Sequence, residues 1–368
     1  MRSVLRMAGV VAVIGLGRPG VAVAQGRPTD APRQVYERAC TACHGPDGRG
    51  ADRSAVGFDL ALPDFTDCSF ATREPDGDWL AVAHEGGPAR GFDKKMPAFD
   101  EALTPDELQL AVDHLRGFCT DAAWPRGELN LPRPFVTEKA YPEDEMVLTT
   151  VIDAEGAGAV TNEIVYEKRF GALSQIEIAM PVAATGRRGG RWSGGLGDLA
   201  IGVKQALYHS LRRGSIVSVA GEVVLPTGDE DEGFGKGTPV VETFASFGQM
   251  FPADAFMHLQ GGIELPTDTD KAAREAFWRV VFGKTITQGP FGRSWSPMLE
   301  VLGARELLDG EAPQWDVLPQ MQISLSKRQH VLANVGVRIP VTDADRRTTQ
   351  VLVYVLWDWY DGGFFEGW

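Results

Sequence analysis

Gln175-Ile176-Glu177-Ile178-Ala179-Met180-Pro181-Val182 changes character at every step: Ile176, Ile178, Met180 and Val182 alternate with Gln175, Glu177, Ala179 and Pro181. Successive side chains of an extended strand point to opposite faces, so this stretch predicts a strand with one apolar face. The period of two recurs downstream. Val217, Val219, Val223 and Leu225 alternate with Ser218, Ala220 and Glu222, and Met257, Leu259, Ile263 and Leu265 with His258, Gln260 and Glu264. Leu199, Ile201, Val203 and Leu207 behave in the same way, as do Val317, Met321 and Ile323, and the pattern ends in Val351, Val353, Val355, Trp357 and Trp359.

The pattern covers about twelve segments of roughly 9–12 residues, the length a tilted strand needs to cross a bilayer. Connections alternate in length. Gly171-Ala172-Leu173, Pro252-Ala253-Asp254 and Lys327-Arg328-Gln329 are short, whereas Thr185 to Gly195, Thr227 to Gly237 and Thr267 to Arg274 are longer and polar. Short turns at one rim, long loops at the other and an even strand number predict an antiparallel barrel of the outer-membrane type over residues 146–368. Ile178, Val203, Val219, Leu265, Val335 and Val353 should then face lipid. Glu177, Lys204, Glu222, Glu264 and Arg338 should face the lumen, along with Glu163, Glu167, Asp198, Glu242, Arg279 and Glu300. A soluble sandwich would alternate as well, apolar face inward, but normally with strands of about 5–6 residues. Gly362-Gly363 interrupts the alternation before the terminal Trp368.

Working towards the N-terminus, residues 121–145 hold Pro125, Pro132, Pro134 and Pro142 with little periodicity, which predicts a semi-extended linker. Residues 1–24 read as a secretory signal peptide. Arg2 and Arg6 precede an apolar run to Leu16, and Ala22-Val23-Ala24 has the spacing of a cleavage site. The expected destination is oxidising, so disulfides persist. The 368 residues carry a formal charge of −14, and no basic stripe interrupts it, so a nucleic-acid partner is not expected.

Between signal and linker, residues 25–120 contain Cys40-Thr41-Ala42-Cys43-His44. Two thiols three residues apart can bond the two vinyl groups of one haem, and the adjoining His44 supplies the proximal ligand to its iron. A zinc half-site would need a second ligand pair, and a thioredoxin-like motif should follow a strand; here the preceding segment reads as helix. One covalent haem c is therefore expected. Thr104 with Glu107 three residues on marks the N-terminus of a helix to Phe118, and Asp76 to His84 reads as another.

CTACH, these helices and Lys95-Met96-Pro97-Ala98-Phe99 resemble a class I c-type cytochrome over about Ala31 to Thr120. The resemblance implies an all-α domain in which Met96 is the sixth ligand; His84 and His114 are the rivals. A His/Met iron has a raised potential and no open site, so single-electron transfer is implied. Cys68 and Cys119 remain as one disulfide pair, or as two separate buried thiols.

The expected architecture is thus multidomain: an all-α cytochrome c domain, then an all-β antiparallel barrel. It resembles the fused monohaem cytochrome–porin proteins of the iron-oxidase type. That likeness implies electron transfer at or across an outer membrane, with the haem domain in the periplasm. The implied partners are a periplasmic electron carrier, outer-membrane lipid, and an extracellular or lumenal donor such as Fe²⁺. The alternatives are a porin or transporter with a redox-sensing cytochrome, and a periplasmic cytochrome whose soluble β-domain docks to a dehydrogenase.

Overall fold

The computed structural model describes residues 30–156, 158–186 and 191–368; the expected signal peptide lies outside them. The N-terminal part is helical: α1 (Ala31–Ala39), α2 (Thr41–His44), α3 (Arg53–Val56), α4 (Cys68–Ala71), α5 (Asp76–Glu85) and α6 (Pro105–Arg116). A capping box opens α6. Thr104 Oγ1 accepts from the Glu107 N–H at 3.3 Å, and Glu107 Oε2 accepts from the Thr104 N–H at 2.9 Å. Val35 of α1 packs with Leu103, Leu108 and Ala111 around α6, the domain's small core. Cys68 and Cys119 are joined in a disulfide with their Cα atoms 5.1 Å apart.

Twelve strands follow: β1 (Glu145–Asp153), β2 (Ala159–Phe170), β3 (Ser174–Gly186), β4 (Leu199–Ser210), β5 (Ser215–Leu225), β6 (Val240–Met250), β7 (Ala255–Pro266), β8 (Glu275–Lys284), β9 (Ser294–Glu306), β10 (Gln314–Ser324), β11 (Val331–Pro340) and β12 (Gln350–Asp358). Each pairs antiparallel with its neighbours in sequence, and β12 returns to β1, placing Glu145 opposite Asp358 and Asp153 opposite Gln350. The sheet is a closed barrel without a free edge. Two short strands, Trp192–Leu196 and Ile286–Thr287, extend the pairing at the rims.

The faces fall as the alternation predicts. Val203 is 50% exposed on the outside, while its neighbour Lys204 is 3% exposed inside. Ile178, Val219, Leu265, Val335 and Val353 also lie on the exposed exterior. Tyr166, Trp295 and Trp357 sit outward near the short-turn rim, and Trp278 packs on Trp315 near the other, as in the aromatic girdles of membrane barrels. Among the described residues no helix is long and apolar enough to cross a membrane.

The linker differs from its expectation. From Leu129 it runs inside the barrel: Leu129, Thr137, Lys139, Glu143 and Asp144 are all buried. Glu300 of β9 accepts from the Phe135 N–H at 2.7 Å and from the Thr137 N–H and hydroxyl at 3.1 and 2.8 Å. Gln175 of β3 accepts from the Glu143 N–H at 2.6 Å, and the Tyr354 hydroxyl donates to the Arg133 carbonyl at 2.6 Å. A non-periodic polar segment normally needs water, but here lumenal side chains supply its hydrogen bonds. Gly336 and Gly248 leave it room, since a Cβ would meet Phe135 at 2.9 Å and Leu131 at 3.3 Å respectively.

Candidate functional site

α1 runs directly into the cysteine motif. The Cys40 N–H donates to the Tyr36 carbonyl at 2.8 Å and the His44 N–H to the Cys40 carbonyl at 2.9 Å, so Cys40, Cys43 and His44 share one helical turn. Gly45, at φ 74°, ends that turn in a conformation side chains rarely adopt. Its carbonyl accepts from the buried Tyr36 hydroxyl at 2.5 Å. Tyr36 in turn packs on His114 and Phe118, with ring centroids 4.8 and 5.4 Å away. The ring of His114, one rival ligand, is thereby packed between aromatic neighbours.

The two cysteines of the motif are free of one another, while the other two form the disulfide. Burial, and then Cys43 beside it, push the Cys40 thiol up to about 11. Redox-active Cys-x-x-Cys pairs need the reverse, a depressed thiol. No zinc ligand set accompanies these cysteines: among the described residues the one group of three or more metal-donor side chains is Glu138, Glu167 and Glu177, in the barrel.

The His44 imidazole packs on Phe65 at 5.2 Å, and Phe65 on Trp79 at 5.2 Å. Its Nδ1 is buried without a hydrogen-bond partner, and burial lowers its pKa, favouring the neutral ring that ligates metals. Paired free thiols on one turn with a neutral, incompletely bonded histidine fit a c-type haem. Cys40 and Cys43 would hold it by thioethers, with His44 and Met96 on the iron. Bound there, the group supplies reversible one-electron chemistry.

Met96 sits half-buried in a loop closed on two glycines. The Gly87 N–H donates to the Met96 carbonyl at 2.9 Å and the Met96 N–H to the Asp93 carbonyl at 3.2 Å. Gly87 has no room for a side chain, since a Cβ would lie 2.3 Å from the Asp93 carbonyl oxygen. The Phe99 N–H, beyond Met96, donates to the Ala83 carbonyl of α5 at 3.1 Å. His84, the other rival, packs on Phe291 of a barrel turn at 5.1 Å, and its Nδ1 is buried without a partner.

The helical domain is seated on the rim that carries the short turns. Arg73 pairs with Asp144 and lies 3.5 Å over the Tyr360 ring, and Tyr360 donates to the Ser69 carbonyl at 3.0 Å. Between domain and rim lies a cavity of about 480 Å³, with Glu74, Asp78, Asp358 and Asp361 in its wall. Burial, and then Asp361, raise the Glu74 carboxyl well above the usual range. Sequence reasoning missed this seating and the lumenal segment, because both depend on contacts between positions from about thirty to nearly three hundred apart that no local period announces.

Residues 27–115 match the family described as Cytochrome C oxidase, cbb3-type, subunit III, so the chain carries a cytochrome c-type domain there. No curated protein matches the chain. Among solved structures, an outer-membrane channel from Pseudomonas putida F1 is similar at 11% identity and TM-score 0.44, over 61% of this chain and 99% of that one. The NanC porin is similar at 6% identity and TM-score 0.42, over 58% and 98%. The barrel itself rests on its own closed strand pairing.

Proposed function

We propose that this protein is a monohaem c-type cytochrome anchored in the bacterial outer membrane, exchanging electrons with a carrier at its periplasmic face. The seating of the cytochrome domain on the short-turn rim carries this reading. In outer-membrane barrels short turns face the periplasm and long loops the exterior. The apolar exterior supports the membrane location. The buried segment in the lumen argues against an open porin.

A cationic donor such as Fe²⁺ is the favoured external substrate. Glu222 stands opposite Glu242, and Glu242 opposite Glu264, on the lumenal face of three adjacent strands nearer the long loops. Such a face attracts cations and repels anions. The deciding experiment fractionates haem-stained protein, then offers Fe²⁺ to the oxidised protein and follows the haem spectrum. Haem in the outer-membrane fraction, with heat-modifiable migration, supports the anchored cytochrome. Haem in the soluble periplasmic fraction refutes it, and a spectrum unmoved by Fe²⁺ removes iron as donor.

A further inference from the structure

The loop that presents Met96 is gripped by the barrel. The segment from Gly86 to Phe92, which closes on Met96 through Gly87, meets three pieces of the short-turn rim. Arg90, 5% exposed, donates from Nε to Asp78 of α5 at 2.7 Å and from Nη1 to the Phe291 carbonyl, in the turn after β8, at 2.6 Å. Arg328, in the turn after β10, donates to the Arg90 carbonyl at 3.3 Å and the Gly91 carbonyl at 3.1 Å. Its guanidinium also lies 4.3 Å over the Phe92 ring, and its third donor reaches the Asp361 carbonyl of the C-terminal tail at 2.7 Å. The tail closes the grip: a Cβ on Gly91 would lie 2.4 Å from the Gly367 Cα.

We infer that Arg90, Arg328 and Phe291 are positioning residues for the sixth ligand, so that the barrel rim holds Met96 in place for the haem. The inference rests on the reading of Met96 as ligand and goes beyond it, by making ligation depend on the docked barrel. The reason lies in the loop. A methionine carried on an irregular, Gly-rich segment has high conformational freedom, and a weak thioether ligand is retained only where the chain holding it is fixed. α5 fixes one end through Phe99. The other end has only Gly87 and Arg90, and Arg90 is itself tied to the barrel. Charge-assisted hydrogen bonds from the buried Arg90 and the partly buried Arg328 to backbone carbonyls, together with an aromatic contact, supply that restraint.

The test uses the full-length, haem-loaded protein in detergent. Arg90→Ala combined with Arg328→Ala removes the guanidinium bonds to the Phe291, Arg90 and Gly91 carbonyls and the cation over Phe92, whereas a substitution at Phe291 would leave its backbone carbonyl in place. The expected result is loss of the near-infrared sulfur-to-iron band, a lowered reduction potential and new carbon monoxide binding, with covalent haem content and heat-modifiable migration unchanged. Arg328→Lys, which keeps the charge but reaches fewer carbonyls, should give a smaller loss in the same direction and serves if the double variant fails to assemble. A wild-type protein lacking the band would refute Met96 as ligand. A wild-type band and potential that persist in these variants would refute the grip alone.

Discussion

Arg133 Nη1 lies 2.8 Å from Glu167 Oε2, an ion pair between the segment threaded through the lumen and the second strand of the wall. The same nitrogen reaches Glu145 Oε1 at 2.5 Å, and Lys204 stands 3.3 Å from Glu138 of the segment. Removing one partner of a buried pair leaves an uncompensated charge, which costs about 3–5 kcal/mol. Arg133→Ala should therefore lower the barrel's thermal transition and, by loosening the segment, raise its conductance in a planar bilayer. Unchanged conductance would show that the segment does not close the lumen.

The disulfide closes a sequence separation of 51 residues, from α4 to the end of the helical domain. In the chain-entropy treatment a loop of this size contributes roughly 4 kcal/mol, acting through the unfolded state. Replacing Cys68 and Cys119 together by serine should shift the denaturant midpoint of the haem signal downward while leaving the ligand bands in place. Two alkylatable thiols in the unreduced wild-type protein would remove the bridge.

Met96→Ala should abolish the sulfur-to-iron band and open the iron to carbon monoxide. His84→Ala should leave the band in place, because His84 faces Phe291 at the barrel contact. If His84→Ala alters the spectrum and Met96→Ala does not, the sixth ligand is His84.

Docking of the cytochrome domain should weaken with rising pH. Burial, and next Asp358, push the Asp361 carboxyl up to about 8 against the opposing pull of Arg328. Glu74 faces it from the helical domain and is raised mainly by burial, with Asp78 and Asp358 adding to the effect and Arg116 opposing it. A carboxyl raised in the folded state contributes stability that is fully present below its unfolded value of about 4, and that is lost as pH rises through the folded one. Limited proteolysis between domain and barrel should therefore be slower at pH 5 than at pH 9. Asp361→Asn should flatten the profile; a profile that survives it assigns the dependence to other groups.

The barrel was legible because its signal is local. Val203 beside Lys204, or Val219 beside Ser218, states inside and outside in two letters, and the alternation repeats in strand after strand. The haem motif was legible for a similar reason, since Cys40, Cys43 and His44 fall within one turn. The lumenal path of residues 129–144 was not. Pro132, Pro134 and Pro142 look like linker chemistry in any solvent, and only the closed barrel reveals that Glu300, Gln175 and Tyr354 take the place of water. The contact of Arg328 with Arg90 and Gly91 spans 238 and 237 positions, and nothing near either residue encodes it.

Val219 and Glu222 lie on opposite faces of β5, Val219 on the exterior at 39% exposure and Glu222 inward beside Glu242. A lipid-facing arginine costs ~2–4 kcal/mol at the bilayer midplane, whereas a lumenal carboxylate is solvated or paired. Val219→Arg should therefore block assembly into the heat-modifiable form. Glu222→Gln should assemble normally and change only the cation preference of the lumen. A soluble β-domain would also reject arginine at an apolar core position, so these two variants do not separate the readings alone. Their separation lies in the exterior: Val203, Val219, Val335 and Val353 are exposed in the folded chain, so the apolar face has no protein cover. The wild-type protein should need detergent or lipid to stay monodisperse. A β-domain that refolds as a monodisperse species in plain buffer would end the membrane assignment, and with it the proposed site of electron exchange.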